Sequence, residues 1–325
     1  MEEKNIVCSL ITPLFSCGAY KTIPELRTSE LKGVMRYVYR ISSPSELNTL
    51  AKDEAELFGG AAGSGNNTGH ASPIRLLIRS EMVKDSKPLL LHKTEKKFPV
   101  SCFFDGKFEI TARFNQGILS NRSGFQQTVD INWYVDLIKV SLIMCGMGKR
   151  CRKGRGCFNI EGASFKTQKD FLEWLCKALN RIGAVSSQNN GGAFMIDREG
   201  IRFKGDLSKY KRPIIHKIRL GNKMEKNQID NYLWAVDEMS HKLKERKLEN
   251  DDKKTLPIGI TGFAGSKGKL ASPLLIRIVQ LEGGFYPLYI FLKNVSEENW
   301  FDRGCFMREK FIYYVENPKS KGVRQ

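Results

Sequence analysis

The sequence predicts an α+β protein of two β-α-β-β-α-β units, residues 1–162 and 163–325, the second more divergent than the first. Three observations carry this. Phe108, Ile110, Ala112 and Phe114 alternate with Lys107, Glu109, Thr111 and Arg113, the two-residue period of a strand with one core face. Segments of helical spacing flank that strand, and short apolar runs lie outside them. The chain has 325 residues and is 41% hydrophobic, enough for about two domains with real cores.

In chain order, the apolar run from Ile6 to Thr12 ends at Pro13, as expected of an opening strand. Ser29 is placed to cap a helix with Leu31, Val34, Met35, Val38 and Ile41 on its apolar face. A second helix is expected over residues 45–58, ended by Gly59 and Gly60; a loop of Gly, Ala, Ser and Asn, expected to be mobile, leads to His70. The run from Ile74 to Arg79 reads as a strand. Phe103-Phe104-Asp105-Gly106 predicts a hairpin turn before the alternating strand. Ile131, Tyr134, Val135, Ile138, Leu142 and Cys145 recur at helical spacing, with Gly146 in the C′ position. Residues 157–160 return as a strand. With the second helix counted as an insertion, this is the ferredoxin-like (RRM-like) order, a sheet with helices on one face.

The second half repeats the theme less clearly. Thr167 and Asp170 predict a capping box before Phe171, Leu175, Ala178, Leu179 and Ile182. A strand is expected over residues 214–220. Asn227 is placed to cap a long helix carrying Ile229, Tyr232, Leu233, Val236, Met239 and Leu243, which runs out into a charged, solvated linker. Residues 272–280 and 285–293 flank Gly283-Gly284 as a hairpin. Both strands are apolar on both faces except at Arg277, so the pair is expected to be central. Residues 296–315 suit either helix or strand.

Charge points to the ligand. There are 53 Lys and Arg against 35 Asp and Glu, a net charge of +18, which favours polyanions. The densest cationic segment is Gly146-Met-Gly-Lys-Arg-Cys-Arg-Lys-Gly-Arg-Gly156. Gly146, Gly148, Gly154 and Gly156 allow close backbone approach, while Lys149, Arg150, Arg152, Lys153 and Arg155 supply charge and donors for phosphate. One or two cations would suffice to offset the dipole of the preceding helix; five are in surplus. Lys32, Arg36 and Arg40 form a second basic stripe at four-residue spacing.

Competing phosphate loops fail on spacing and context. Five residues separate Gly148 from Gly154, and Arg155-Gly156 stands where a Walker A loop has Lys-Ser/Thr. A dinucleotide fingerprint follows a strand and opens a helix, whereas this loop follows a helix and opens a strand. Gly262–Lys269 fails as well, because Leu270 follows the lysine. No cofactor is called for. Cys145, Cys151 and Cys157 lack the short spacing of a structural zinc site, and the four histidines form no ligand motif, so no metal is predicted. Eight scattered cysteines, a charged start without a signal peptide and no membrane-length apolar run predict a cytoplasmic protein. Among the histidines, His70 is the one candidate for acid-base work on RNA. Asp53, Glu54 and Glu56 read as a solubilising or partner-facing acidic cluster. Tyr37, Tyr39, Phe103 and Phe104 are candidates for stacking on bases.

Particular motifs now matter. Thr12-Pro13-Leu14-Phe15, Glu25-Leu26-Arg27, Leu31-Lys32-Gly33-Val34-Met35-Arg36 and Glu56-Leu57-Phe58-Gly59-Gly60 resemble the opening of the RAMP proteins of CRISPR systems. Ser72 with the strand after it, the basic glycine loop and, in the second half, Leu270-Ala271-Ser272-Pro273-Leu274 extend the resemblance. It is specific over residues 12–158 and thinner beyond, and within the superfamily it leans toward the first-subunit family of the type III-B (Cmr) effector. The resemblance implies two ferredoxin-like domains in a crRNA-guided complex, contacting crRNA and complementary target RNA toward the crRNA 3′ end, beside other RAMP subunits of the Cmr complex. It implies RNA binding by the loop glycines and cations, with Lys32 and Arg36 a weaker transfer, and no catalytic residue. The alternative is a metal-independent endoribonuclease of the same superfamily that processes guide RNA through His70.

Overall fold

A computed structural model describes residues 1–20, 22–60, 69–92, 99–120, 128–185, 192–265, 268–293 and 306–319. In order they form β1 (Glu2–Leu10), α1 (Thr28–Ser42), α2 (Leu47–Phe58), β2 (Ile74–Ser80), β3 (Val83–Pro88), β4 (Pro99–Asp105), β5 (Lys107–Phe114), α3 (Gln116–Ser120), α4 (Ile131–Met144) and β6 (Phe158–Ile160). The second half contributes α5 (Gln168–Gly183), β7 (Phe194–Asp197), β8 (Gly200–Phe203), β9 (Ile215–Leu220), α6 (Ile229–Lys244), β10 (Phe263–Gly265), β11 (Gly268–Leu270), β12 (Leu274–Leu281), β13 (Gly284–Leu292) and α7 (Phe306–Glu316).

The first half forms an antiparallel sheet in the order β2-β5-β1-β6. Phe108, Ile110, Ala112 and Phe114 of β5 point into the core, as their alternation requires. The predicted hairpin at Gly106 is not one. Strand β5 pairs with β2, while β4 pairs with β3 in a separate two-stranded arm inserted between them. Gly106, at φ 104°, is the corner where the chain leaves the arm for the sheet. Two predicted caps also move. Arg27 precedes α1 and Ser29 lies within it; a 3-10 turn at Lys226–Gln228, boxed by Glu225 and Gln228, leads into α6 in place of an Asn227 cap. The Thr167–Asp170 capping box is present, and Asp130 caps α4 by accepting from the Trp133 amide at 2.7 Å.

The second sheet runs β12-β13-β9-β8-β7, also antiparallel. Helices α1, α4 and α5 lie between the two sheets in one continuous apolar core. Leu275, Val279, Leu288 and Ile290 of the hairpin face that core, while Leu274, Ile276, Tyr289 and Phe291 face a second one under α6 and α7. The hairpin is thus buried on both faces, as its composition predicts. In ladder order, however, β12 is the outer strand, and its free edge receives the basic loop. The expected solvated linker after α6 is folded instead: Leu248, Asn250 and Leu256 are buried. The tail segment resolves to helix over α7. The predicted mobile loop before His70 falls on residues 61–68, outside the described residues. No helix among the described residues is long and apolar enough to cross a membrane.

Candidate nucleic-acid interface

The glycine-flanked loop is held from three sides. From the opening segment, the Gly156 amide donates to Pro13 O at 3.0 Å, Lys149 N to Phe15 O at 2.8 Å and Cys157 N to Thr12 Oγ1 at 2.9 Å. From α1, Glu30 accepts the Gly148 amide at 2.7 Å and the Ser16 hydroxyl at 2.6 Å. From β12, Ile276 N donates to Arg152 O at 3.1 Å, which makes Lys153 a one-residue parallel extension of the second sheet.

Arg277 completes the clasp. It is fully buried, with 0% exposure, and its guanidinium donates to Cys151 O at 2.7 Å, Arg155 O at 2.6 Å and Gly156 O at 2.5 Å. It also reaches Ile143 O at 3.3 Å and Leu142 O at 3.4 Å, the unsatisfied carbonyls that end α4. The planar, multiply donating fork suits this cage as a lysine would not. Gly146 and Gly156 adopt φ of 62° and 57°, and a Cβ on Gly146 would collide with the Arg277 guanidinium. The glycines therefore serve the clasp as well as any ligand.

The five loop cations divide. Arg155 is 2% exposed and pairs with the fully buried carboxylate of Asp237 at 2.7 Å; burial lowers its pKa, and Asp237 works against that. Arg150 pairs with the other oxygen of Asp237, whose Oδ2 also accepts from Leu91 N at 3.0 Å. Arg152 donates to Ser272 O at 2.8 Å and lies 4.9 Å from the centroid of the Tyr37 ring. Lys153 donates to a hydroxyl, Ser240 Oγ, at 3.3 Å, and burial next to Arg150 and Lys244 pushes its pKa well below the usual lysine range. Lys149 is exposed. The expected surplus of free charge is smaller than five, because one carboxylate from α6 engages two of the cations.

The α1 stripe is likewise partnered. Arg36 pairs with Glu54 at 3.1 Å and donates to Gly59 O at 2.6 Å, and Arg40 pairs with Glu54 at 3.0 Å. Glu54, expected to face solvent or a partner, instead ties α2 to α1. Lys32 donates to Ser72 Oγ at 2.7 Å; burial, then Arg36, lower its pKa. Of the four stacking candidates, Tyr39 and Phe103 are core, Tyr37 lies against Arg152, and Phe104 alone is exposed. His70 sits 3.8 Å from Glu56 and bridges to Gly60 through its backbone. Asp237 and Glu30 are the residues that sequence reasoning missed. A carboxylate one turn after Leu233 on an apolar helix face was the available signal for Asp237.

Residues 7–159 match the model of the RAMP superfamily. Over these residues, just under half of its length, the chain is similar to that superfamily. The RAMP match runs from within β1 into β6 and includes the whole glycine loop. In fold, the full chain is similar to the crystal structure of apo Cmr1 from Pyrococcus furiosus, at a TM-score of 0.55 and 13% identity over 98% of this chain and 97% of that one. It is also similar to a chain of the cryo-EM structure of Type III-B Cmr-beta bound to cognate target RNA, at a TM-score of 0.54 and 11% identity over 96% and 100%. No match was found among curated protein sequences.

Proposed function

We propose that this chain is a non-catalytic RNA-binding RAMP subunit of a crRNA-guided type III-B (Cmr) effector, acting in the cytoplasm against foreign RNA. Its two antiparallel sheets are read as two ferredoxin-like units divided near residue 162. It contacts crRNA and complementary target RNA toward the crRNA 3′ end and packs beside other RAMP subunits. The observation that carries this reading is likeness to Cmr1 across both sheets, with nearly all of each chain covered. The net charge of +18 supports an RNA partner. The loop presents Lys149 and Arg152, with Lys32 nearby in the sequence motif, while Arg155 and the glycines hold the loop in shape.

Binding of single-stranded RNA, measured over a salt series in EDTA, tests it. Affinity is expected to fall steeply with salt, and Lys149→Ala with Arg152→Ala to flatten the logarithmic slope by about 0.7 per lost phosphate contact. Unchanged affinity and slope in a folded variant would overturn the assignment to this loop. The RNA is expected to remain intact; a product that disappears in His70→Ala would establish the ribonuclease instead.

A further inference from the structure

The first sheet ends at β2, the strand farthest in ladder order from β6 and the basic loop that leads into it. One side of β2 is bonded to β5 over all seven residues without a bulge, and among the described residues no strand pairs with the other side. The phase of that free edge is fixed at both ends. Asn115 N donates to Pro73 O at 2.9 Å and Glu81 N to Lys107 O at 3.0 Å, so residues 73, 75, 77, 79 and 81 turn their backbone groups inward to β5. Leu76, Ile78 and Ser80 therefore turn theirs outward. An uncovered edge of this length is a template for another chain, and natural proteins blunt one with proline, a bulge, a very short strand or charges. Strand β2 uses only the last, as Arg75 and Arg79.

The side chains say what kind of chain fits. Arg75, Leu77 and Arg79 share a face with Arg113, Thr111 and Glu109 of β5, opposite the face that packs on the helices. All three are exposed, Leu77 at 43%. Arg113 pairs with Glu3 at 2.6 Å, whereas Arg75 and Arg79 pair with no carboxylate among the described residues, Glu109 across from Arg79 included. At these positions an added antiparallel strand makes its non-hydrogen-bonded pairs, where facing side chains come closest, with about 4.5 Å between Cα atoms. Two occupants fit poorly. Full-length antiparallel pairing with a second copy, centred on Leu77, sets Arg75 against the copy's Arg79 at both ends, like charges face to face. A phosphate chain answers the arginines but brings no regular donors to the outward carbonyls and no cover for Leu77.

We propose that the free edge of β2 receives an extended acidic segment of a partner protein as a fifth strand of the first sheet. Carboxylates two residues to either side of an apolar residue meet Arg75 and Arg79, and the apolar residue covers Leu77. This docking edge is independent of the RNA-binding reading.

The probe is a capped peptide, acetyl-Thr-Glu-Thr-Val-Thr-Glu-Thr-amide, added to the full chain at up to millimolar concentration and read by amide hydrogen exchange in NMR. Slower exchange at the outward amides of Leu76 and Ile78 is the expected result. Arg75→Glu with Arg79→Glu is expected to weaken the peptide about tenfold, the fold-change that two cross-strand charge pairs supply, at an unchanged urea midpoint. The same double variant is expected to prefer a peptide with lysine in place of both glutamates. N-methylation of the two threonines beside the valine removes the donors that meet the outward carbonyls, and protection is expected to vanish with them. No protection at millimolar peptide overturns the proposal. Equal binding of the lysine peptide to the native chain overturns it as well, as does protection of the same amides by self-association, or by single-stranded RNA in place of the peptide.

Discussion

Arg277 carries a positive charge into the interior, where five backbone carbonyls from the α4 end and the loop surround it. Among the described residues, no other side chain in the clasp reaches the carbonyls of both α4 and Gly156. Replacing it by Met keeps the volume but strands those acceptors, and a removed partner of a buried charged network costs about 3–5 kcal/mol. Arg277→Met is therefore expected to lower the urea midpoint by that much stability, and Arg277→Lys by less, since an ammonium reaches fewer carbonyls. An unchanged midpoint in Arg277→Met would show that the cage is not what holds the loop. The sequence marked Arg277 as a charge in the middle of an apolar hairpin but not its role. Its partners are backbone atoms, which carry no identity in a sequence.

At the scale of elements, patterns with a strong period were legible. Those set by a distant partner were not. The β5 alternation, the α5 capping box and the α4 face each follow from local chemistry, and each is where its spacing places it. The β3–β4 arm was not legible: Gly106 signals a turn without saying which strand lies across it, and the ladder partner of β5 lies upstream of the whole insertion. The β7–β8 hairpin, only four residues a side, is too short to show a period. The same dependence on distant partners governs the docking of α7. Its Glu309 receives Arg219 Nε at 2.9 Å and Lys217 Nζ at 3.1 Å from β9. Burial alone would raise the Glu309 pKa, but the hydrogen bonds and charges of Arg219 and Lys217 outweigh it and hold the carboxyl below its usual value. A depressed carboxyl contributes stability that is complete above the unfolded-state pKa and is lost as pH falls through the folded one. Acidification below the ordinary glutamate range of about 4.3 should thus weaken α7 docking by about 1 kcal/mol, and Glu309→Gln should remove that part of the acid limb. Urea midpoints of both proteins across the acid range check this; parallel curves would refute it.

For the whole molecule, two sheets do not mean two independent bodies. Each of the two larger sheets draws its strands from one side of residue 162. What the sequence could not reveal is that α1 and α4 from the first half and α5 from the second share one apolar core between the sheets, joined by Leu275, Leu288 and Ile290. The basic loop belongs to both halves as well, with its amides and carbonyls on Pro13 and Phe15 at one side and on Ile276 and Arg277 at the other. Separating the halves would expose the α4–α5 face and leave the loop without the Asp237 and Arg277 that neutralise and hold it. Burying apolar surface contributes about 25 cal/mol per Å², so an exposed layer of this kind removes a large share of a marginal folding free energy. The full chain is expected to unfold in urea in one transition, with tryptophan fluorescence and far-UV circular dichroism coincident. A fragment of residues 1–162 is expected to lack the near-UV signal of packed aromatics, although its RAMP match ends at residue 159 and its sheet is complete. Two separated transitions, or a fragment with a native near-UV spectrum, would instead make the two halves autonomous domains joined by a dispensable clasp.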